Sequence, residues 1–256
     1  MDARFTRWVL AAVVLLSSCG KPRAPASTTN VKLTVAAAAN LMDVFGEIGH
    51  AFQVKTGTEV IFSYGSTAQL ATQIDNGAPF DVFAAADAAH VDSLVATGKI
   101  TRDSRAIYAL GQLALWIPQT QTSAVHELKD LAGKDIRFIA IAEPDLAPYG
   151  QATVEVLKGA GLWDAVRPKL VYGTSISMAR QFAASGSANA AFTAYSLVLH
   201  EEGTVLKINR QLYLPIEQAM GIVAASAHPK QAEQFWSFLL SAEGRTILAN
   251  NGYLLP

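Results

Sequence analysis

Four short stretches place small, neutral or hydroxyl-bearing residues where a strand pattern gives way to a helix pattern. They are Ala38-Ala39-Asn40, Gly65-Ser66-Thr67, Pro148-Tyr149-Gly150 and Ser175-Ile176-Ser177. At a helix start the first backbone N–H groups have no intrahelical partner, and the helix dipole favours negative charge. Such junctions can surround a tetrahedral dianion without any lysine or arginine. Each hydrogen bond to a charged group contributes roughly 1.5–3 kcal/mol net. About five to seven donors therefore suffice for ~1 μM affinity, which corresponds to about −8.2 kcal/mol. Taken singly, Ser, Thr and Asn at these places are ordinary helix caps. Their joint placement at successive strand ends points to a ligand, because open parallel sheets bind ligands beyond the carboxyl ends of their strands.

The elements that must position these junctions follow from periodicity. Residues 32–37 (KLTVAA) read as a buried strand, and Asn40 is then expected to cap a helix with Leu41, Val44, Phe45, Ile48 and Phe52 on its apolar face, closed by Gly57. Residues 59–64 (EVIFSY) form the next strand. A helix carrying Leu70 and Ile74 follows and ends at Gly77. Residues 82–86 form a third strand, leading to a helix with Val91, Leu94 and Val95 that stops at Gly98. Residues 138–142, 170–172 and 190–193 read as further strands, each followed by a helical pattern, beginning near Tyr149, Ser175 and Ser196. This alternation predicts βαβ units on mainly parallel sheets.

Two long, apolar, extended segments break the alternation, residues 107–117 and 212–224, and they read as crossovers between two lobes. The expected organisation is 31–110 plus 213–256 for the first lobe and 111–212 for the second. Residues 229–250 are helical, broken near Ser241, and are expected to return to the first lobe.

The N-terminus is a targeting pattern rather than part of the fold. Arg4 and Arg7 precede an apolar run over residues 8–16, too short for a permanent membrane span. It ends in Leu16-Ser17-Ser18-Cys19-Gly20, which resembles a bacterial lipobox, so residues 1–18 are expected to be a lipoprotein signal peptide and Cys19 the lipidated first residue of the mature chain. Residues 19–30, rich in Pro, Ser, Thr and Ala, read as a flexible tether. Cys19 is the single cysteine, so no internal disulfide can brace the fold.

Composition narrows the function classes. A formal net charge of −1, with dispersed Lys and Arg, carries no footprint for nucleic acid. A hydrophobic content of 51% with 16% charged residues supports packed cores over the residues that follow Asn30. No serine-hydrolase elbow, phosphate-binding P-loop or zinc-protease helix motif occurs. His50, His90, His126, His200 and His228 are scattered without metal-ligand spacing. Asp81 and Asp87 flank one strand like a carboxylate pair, but a turn residue and a helix cap account for them. Trp116, Trp163 and Trp236 sit in apolar segments as packing anchors.

From Val35 to its end the chain resembles the periplasmic molybdate-binding proteins of ABC importers. The carrying motifs are VAAAANL (35–41), SYGSTAQLATQIDNGAPFDVFAAAD (63–87), IAEPDLAPYGQA (141–152) and the terminal NGYLLP. The resemblance implies an α/β, two-lobed type II periplasmic-binding-protein fold with two crossover segments as its hinge. It places oxyanion contacts at Asn40 with Ala39 beside it, at Thr67 with Ser66 adjacent, at the backbone N–H of Tyr149 and at Ile176. Some members carry a donor tyrosine in a later strand, where this chain has Ala194; Tyr149 matches the subtype whose turn reads Pro-Tyr-Gly, so a phenol is expected from the opposite element. Tyr195 is expected to point to the other face of its strand.

The function so implied is capture of molybdate or tungstate in the periplasm and delivery to an ABC permease and its ATPase, by a lipid-anchored monomer that needs no cofactor and does no catalysis. Phosphate keeps a proton at neutral pH and favours a carboxylate acceptor, whereas molybdate and tungstate want donors only. Sulfate also wants donors only and is the nearest alternative ligand. A lipoprotein sensor or scaffold, or a hydrolase, is the alternative of a different class.

Overall fold

The computed structural model describes residues 31–121 and 125–256. The expected signal peptide, the tether and Cys19 lie outside the described residues.

In chain order the first lobe opens with β1 (Lys32–Ala38), α1 (Met42–Thr56), β2 (Glu59–Gly65), α2 (Thr67–Asp75), β3 (Val82–Ala84), α3 (Ala89–Ala96) and β4 (Ala106–Gly111). After Gln112 the second lobe begins with β5 (Leu113–Pro118). It continues through β6 (Ile139–Ala142), α4 (Pro148–Gly159), α5 (Trp163–Val166), β7 (Leu170–Gly173), α6 (Ile176–Ala184), β8 (Ala190–Ala194) and β9 (Gly203–Lys207). The chain then returns to the first lobe as β10 (Ile216–Ile222), α7 (Pro229–Leu240) and α8 (Ala242–Asn250).

The sheets run β2-β1-β3-β10-β4 and β7-β6-β8-β5-β9. Register decides where the junctions fall. β1 and β2 are parallel with Ala38 opposite Gly65, and β1 pairs β3 with Ala37 opposite Ala84, so the turns after all three strands open at one edge. β6 and β7 are parallel with Ala142 opposite Gly173, which brings the starts of α4 and α6 together. β4 and β10 lie antiparallel with Gly111 opposite Ile216, and β5 and β8 with Leu113 opposite Ala194. Gly111-Gln112-Leu113 therefore joins the carboxyl edges of the two parallel triplets, and the cleft lies between those edges.

Burial follows the apolar spacing. α1 buries Val44, Phe45, Ile48 and Phe52 and ends at Gly57, whose φ of 76° is a left-handed conformation that glycine adopts without steric cost. Phe235 of α7 meets Phe45 and Phe52 edge-on at 6.2 and 5.3 Å, which fixes the returning C-terminal helices on the first lobe. The largest cluster of buried apolar residues passes through both lobes, taking in Leu33 and Phe45 on one side and Tyr149, Val156 and Phe192 on the other.

In each sheet four of the five strands run in one direction and a single strand, β10 in the first lobe and β5 in the second, runs against them, so both sheets are mainly parallel. Three expectations need correction. The helix expected near Ser196 is only a 3-10 turn, Tyr195–Leu197, because the Ser196 hydroxyl is held by the Asn40 carbonyl and the Tyr253 phenol. Asn40 does not cap α1: it lies inside a 3-10 turn, Ala39–Leu41, and its side chain turns inward. Asp81 is more than a turn residue, being 3% exposed and accepting from the Thr34 N–H at 2.8 Å and the Ser226 hydroxyl at 2.6 Å. β9 escaped the sequence pattern because it is an exposed edge strand without regular alternation.

Candidate functional site

Where the carboxyl edges meet, a small cavity is lined from the first lobe by Ala38–Asn40, Gly65–Thr67 and Ala86, and from the second by Ala147–Tyr149 and Ile176. All six residues expected at an anion site, Ala39, Asn40, Ser66, Thr67, Tyr149 and Ile176, are brought together here. Neither Ala194 nor Tyr195 lines it; the Tyr195 ring lies under the Lys207 ammonium at 3.9 Å. No Lys, Arg, Asp or Glu is among its lining residues.

Its polarity comes from hydroxyls and helix starts. The Thr67 hydroxyl, 1% exposed, accepts from the Ala86 N–H at 3.1 Å. The Ser66 hydroxyl caps α2 by accepting from the Gln69 N–H at 3.4 Å. A hydroxyl that accepts from a backbone N–H still has its own proton to give, so both side chains are left as donors. Thr67, Tyr149 and Ile176 stand in the first turns of α2, α4 and α6, where N–H groups have no intrahelical partner and the dipoles add positive potential. Pro148, lacking an N–H, takes the first position of α4, and Gly150 lets that helix start lie against β6, since a Cβ there would overlap the Ala142 carbonyl. The lobes touch at the rim, where the Ala68 N–H donates to the Leu146 carbonyl at 3.2 Å.

Behind the cavity lies a buried polar network that the sequence reading did not anticipate. The Asn40 amide nitrogen donates to Gln218 Oε1 at 2.9 Å and to the Tyr253 phenol at 3.0 Å, and Gln218 Nε2 donates to the Tyr149 phenol at 2.9 Å. The Tyr108 phenol lies 3.0 Å from both Gln218 Oε1 and the Ala85 carbonyl. Burial above all pushes the phenols of Tyr108, Tyr149 and Tyr253 up, so each keeps its proton near neutral pH. Two signals were available: a glutamine inside the apolar run 212–224, and a tyrosine in the terminal NGYLLP. The phenol of Tyr149 does reach across from the second lobe, but its polar neighbour is Gln218 of β10.

The remaining sequence candidates fall elsewhere. Asp87 bonds the His90 N–H at 2.9 Å as a helix cap and pairs with the His90 ring at 2.8 Å. That hydrogen bond raises the His90 pKa, with burial opposing it. Trp116 and Trp236 donate to the Glu202 and Ser104 carbonyls, as packed tryptophans do. Among the described residues no group of three or more His, Cys, Asp or Glu could hold a metal ion, and no helix is long and apolar enough to cross a membrane.

Two lobes with opposed carboxyl edges and a small neutral donor cavity between them define a ligand-capturing protein of the periplasmic-binding type. Residues 33–254 match the family model for bacterial extracellular solute-binding proteins, and the chain belongs to that family. It is 37% identical to the molybdate-binding protein ModA of Rhodobacter capsulatus over 87% of this chain and 88% of that one. Its structure superposes on the periplasmic molybdate-binding protein of Azotobacter vinelandii with a TM-score of 0.83 and 33% identity, covering 88% of this chain and 99% of the other. A putative ABC transporter substrate-binding lipoprotein, YvgL of Bacillus subtilis, is 28% identical over 95% of each chain.

Proposed function

We propose that the protein captures molybdate or tungstate in the periplasm and delivers it to an ABC permease and its ATPase. The observation that carries this reading is a cavity with donors and no charged side chain, built from helix starts of both lobes. A fully deprotonated tetrahedral dianion is the ligand such a site favours; protonated phosphate would leave its O–H facing donors. In this reading Asn40, Ser66 and Thr67 donate through side chains, and Ala39, Tyr149 and Ile176 through backbone N–H groups. Residues 31–110 plus 213–256 close on residues 111–212 about the two crossovers, and the closed monomer is what the permease recognises. Lipid on Cys19 keeps the protein at a bacterial membrane, a reading supported by the likeness to a lipoprotein relative.

The test is the thermal midpoint with molybdate, tungstate, sulfate or phosphate, since a ligand that binds only the folded state stabilises it by RT ln(1 + [L]/Kd). A large rise confined to molybdate and tungstate is expected. An equal rise with sulfate replaces the ligand assignment, and no rise with any of the four overturns the reading.

A further inference from the structure

We propose that Gln218 is a positioning residue for the anion site, its amide setting which end of the Asn40 side chain faces the bound oxyanion. The inference rests on the oxyanion reading above and goes beyond it, because Gln218 itself does not line the cavity.

A proton count carries the argument. In the arrangement described, Asn40 Nδ2 spends its hydrogens on Gln218 Oε1 and Tyr253 Oη, and Asn40 Oδ1 is left buried without a partner. The Tyr108 phenol has one proton between two acceptors, Gln218 Oε1 and the Ala85 carbonyl. Gln218 Nε2 has one partner, Tyr149 Oη, for its two hydrogens. The network therefore lacks acceptors at one end and holds an idle carbonyl oxygen at the other.

Turning both amides by half a rotation leaves the heavy-atom positions nearly unchanged, since the oxygen and nitrogen ends have the same shape. Gln218 Nε2 then donates to Asn40 Oδ1 and to Tyr108 Oη, while Tyr108 gives its proton to the Ala85 carbonyl. Gln218 Oε1 accepts from the Tyr149 phenol. The Tyr253 phenol, which gives its proton to the Asn40 backbone carbonyl at 2.7 Å in the arrangement described, donates instead to Asn40 Oδ1, and the Ser196 hydroxyl, 3.2 Å from that backbone carbonyl, takes over as its donor. Every donor in this set has an acceptor, and the one group left over is Asn40 Nδ2, with two hydrogens on a residue that lines the cavity. An oxyanion supplies the missing acceptor and is repelled by the other arrangement, so binding selects the second.

The same arithmetic gives Gln218 a role that an apolar residue cannot take. It is the donor that holds Asn40 Oδ1 away from the anion, and Tyr108 and Tyr149 hold Gln218 in that orientation. Burying an oxygen lone pair against a bound dianion would cost more than losing one hydrogen bond.

The experiment uses the full chain, labelled with ¹⁵N, and follows the side-chain amide resonances of Asn40 and Gln218 with and without molybdate. With molybdate bound, the Gln218 amide hydrogens are expected to show cross-relaxation to the Tyr108 ring, and the Asn40 amide hydrogens to Thr67 across the cavity. Gln218 hydrogens contacting the Tyr149 ring in the bound state would overturn the proposal. In parallel, Gln218→Leu should weaken molybdate binding by about tenfold or more, the size of one hydrogen bond to a charged group. Unchanged affinity in a folded Gln218→Leu protein also overturns it. If that variant does not fold, Tyr108→Phe removes one of the two groups that orient Gln218, and the Asn40 amide resonance in the bound state should then broaden or split; an unaltered resonance counts against the proposal. Failure of the wild-type chain to bind molybdate or tungstate would instead sink the oxyanion reading.

Discussion

The amide of Gln218 and the phenol of Tyr149 lie 2.9 Å apart, one on β10 of the first lobe and the other on α4 of the second. Both are fully buried, so a polar contact shielded from water links the lobes directly behind the cavity. Gly111, the last residue of β4 before the crossover, lets the two side chains meet: a Cβ there would overlap the phenol oxygen and come within 2.7 Å of Gln218 Nε2.

Gly111→Ala should therefore obstruct closure while leaving each lobe's own packing in place. Small-angle scattering is expected to show the wild-type chain compacting on saturation with molybdate and the variant compacting less. Equal compaction in both would mean that the lobes close without the Gln218–Tyr149 contact.

Thr67→Ala removes the acceptor of the Ala86 N–H together with the donor proposed for the anion. Titration calorimetry should show a loss of roughly 1.5–3 kcal/mol, about one to two orders of magnitude in Kd. Thr67→Ser keeps the hydroxyl and should retain most of the affinity. Unchanged binding by the alanine variant would remove Thr67 from the anion's contacts.

Asp81 is 3% exposed and joins the start of β1 to the segment before α7 through Thr34, Ser226 and the His228 ring. Asp81→Ala strands the half-buried Thr34 N–H and removes an acceptor that carries charge. A loss of about 3 kcal/mol is expected, lowering the thermal midpoint by ~2–4 °C for each kcal/mol. Affinity for molybdate at a temperature where the variant is folded should be unaltered, since Asp81 does not line the cavity.

The His90 pKa is raised in the folded chain, first by its hydrogen bond to Asp87. A raised folded-state pKa means that the pair's stabilisation is fully present below the unfolded value, about 6.5 for histidine, and is lost as pH rises through the folded value. His90→Gln should accordingly lower the thermal midpoint relative to wild type at pH 5.5 and make less difference at pH 8.5. A difference that grows with pH would show that the Asp87 pairing does not govern this titration.

How much of this was legible in the sequence can be judged from particular residues. Gly57 and Ser66 were readable as helix punctuation because capping is local chemistry. The positions of Thr67, Tyr149 and Ile176 were readable because each begins a helix after a strand, a feature of a few neighbouring residues. β9 was not readable, since an exposed edge strand imposes no alternation. Asn40 was placed correctly along the chain but given the wrong local role: its side chain serves Gln218, which is 178 residues away.

The sequence by itself determined the alternating units, the small hydroxyl-bearing junctions and the absence of charge from them, because propensity, capping and periodicity act over a few residues. Only the tertiary structure decided which junctions share one cavity, how the crossover strands complete each sheet, and that Gln218, Tyr108, Tyr149 and Tyr253 converge on Asn40. Strand register and lobe packing set those meetings across gaps of up to 213 residues, and a buried hydrogen bond leaves no periodic trace in the sequence of either partner.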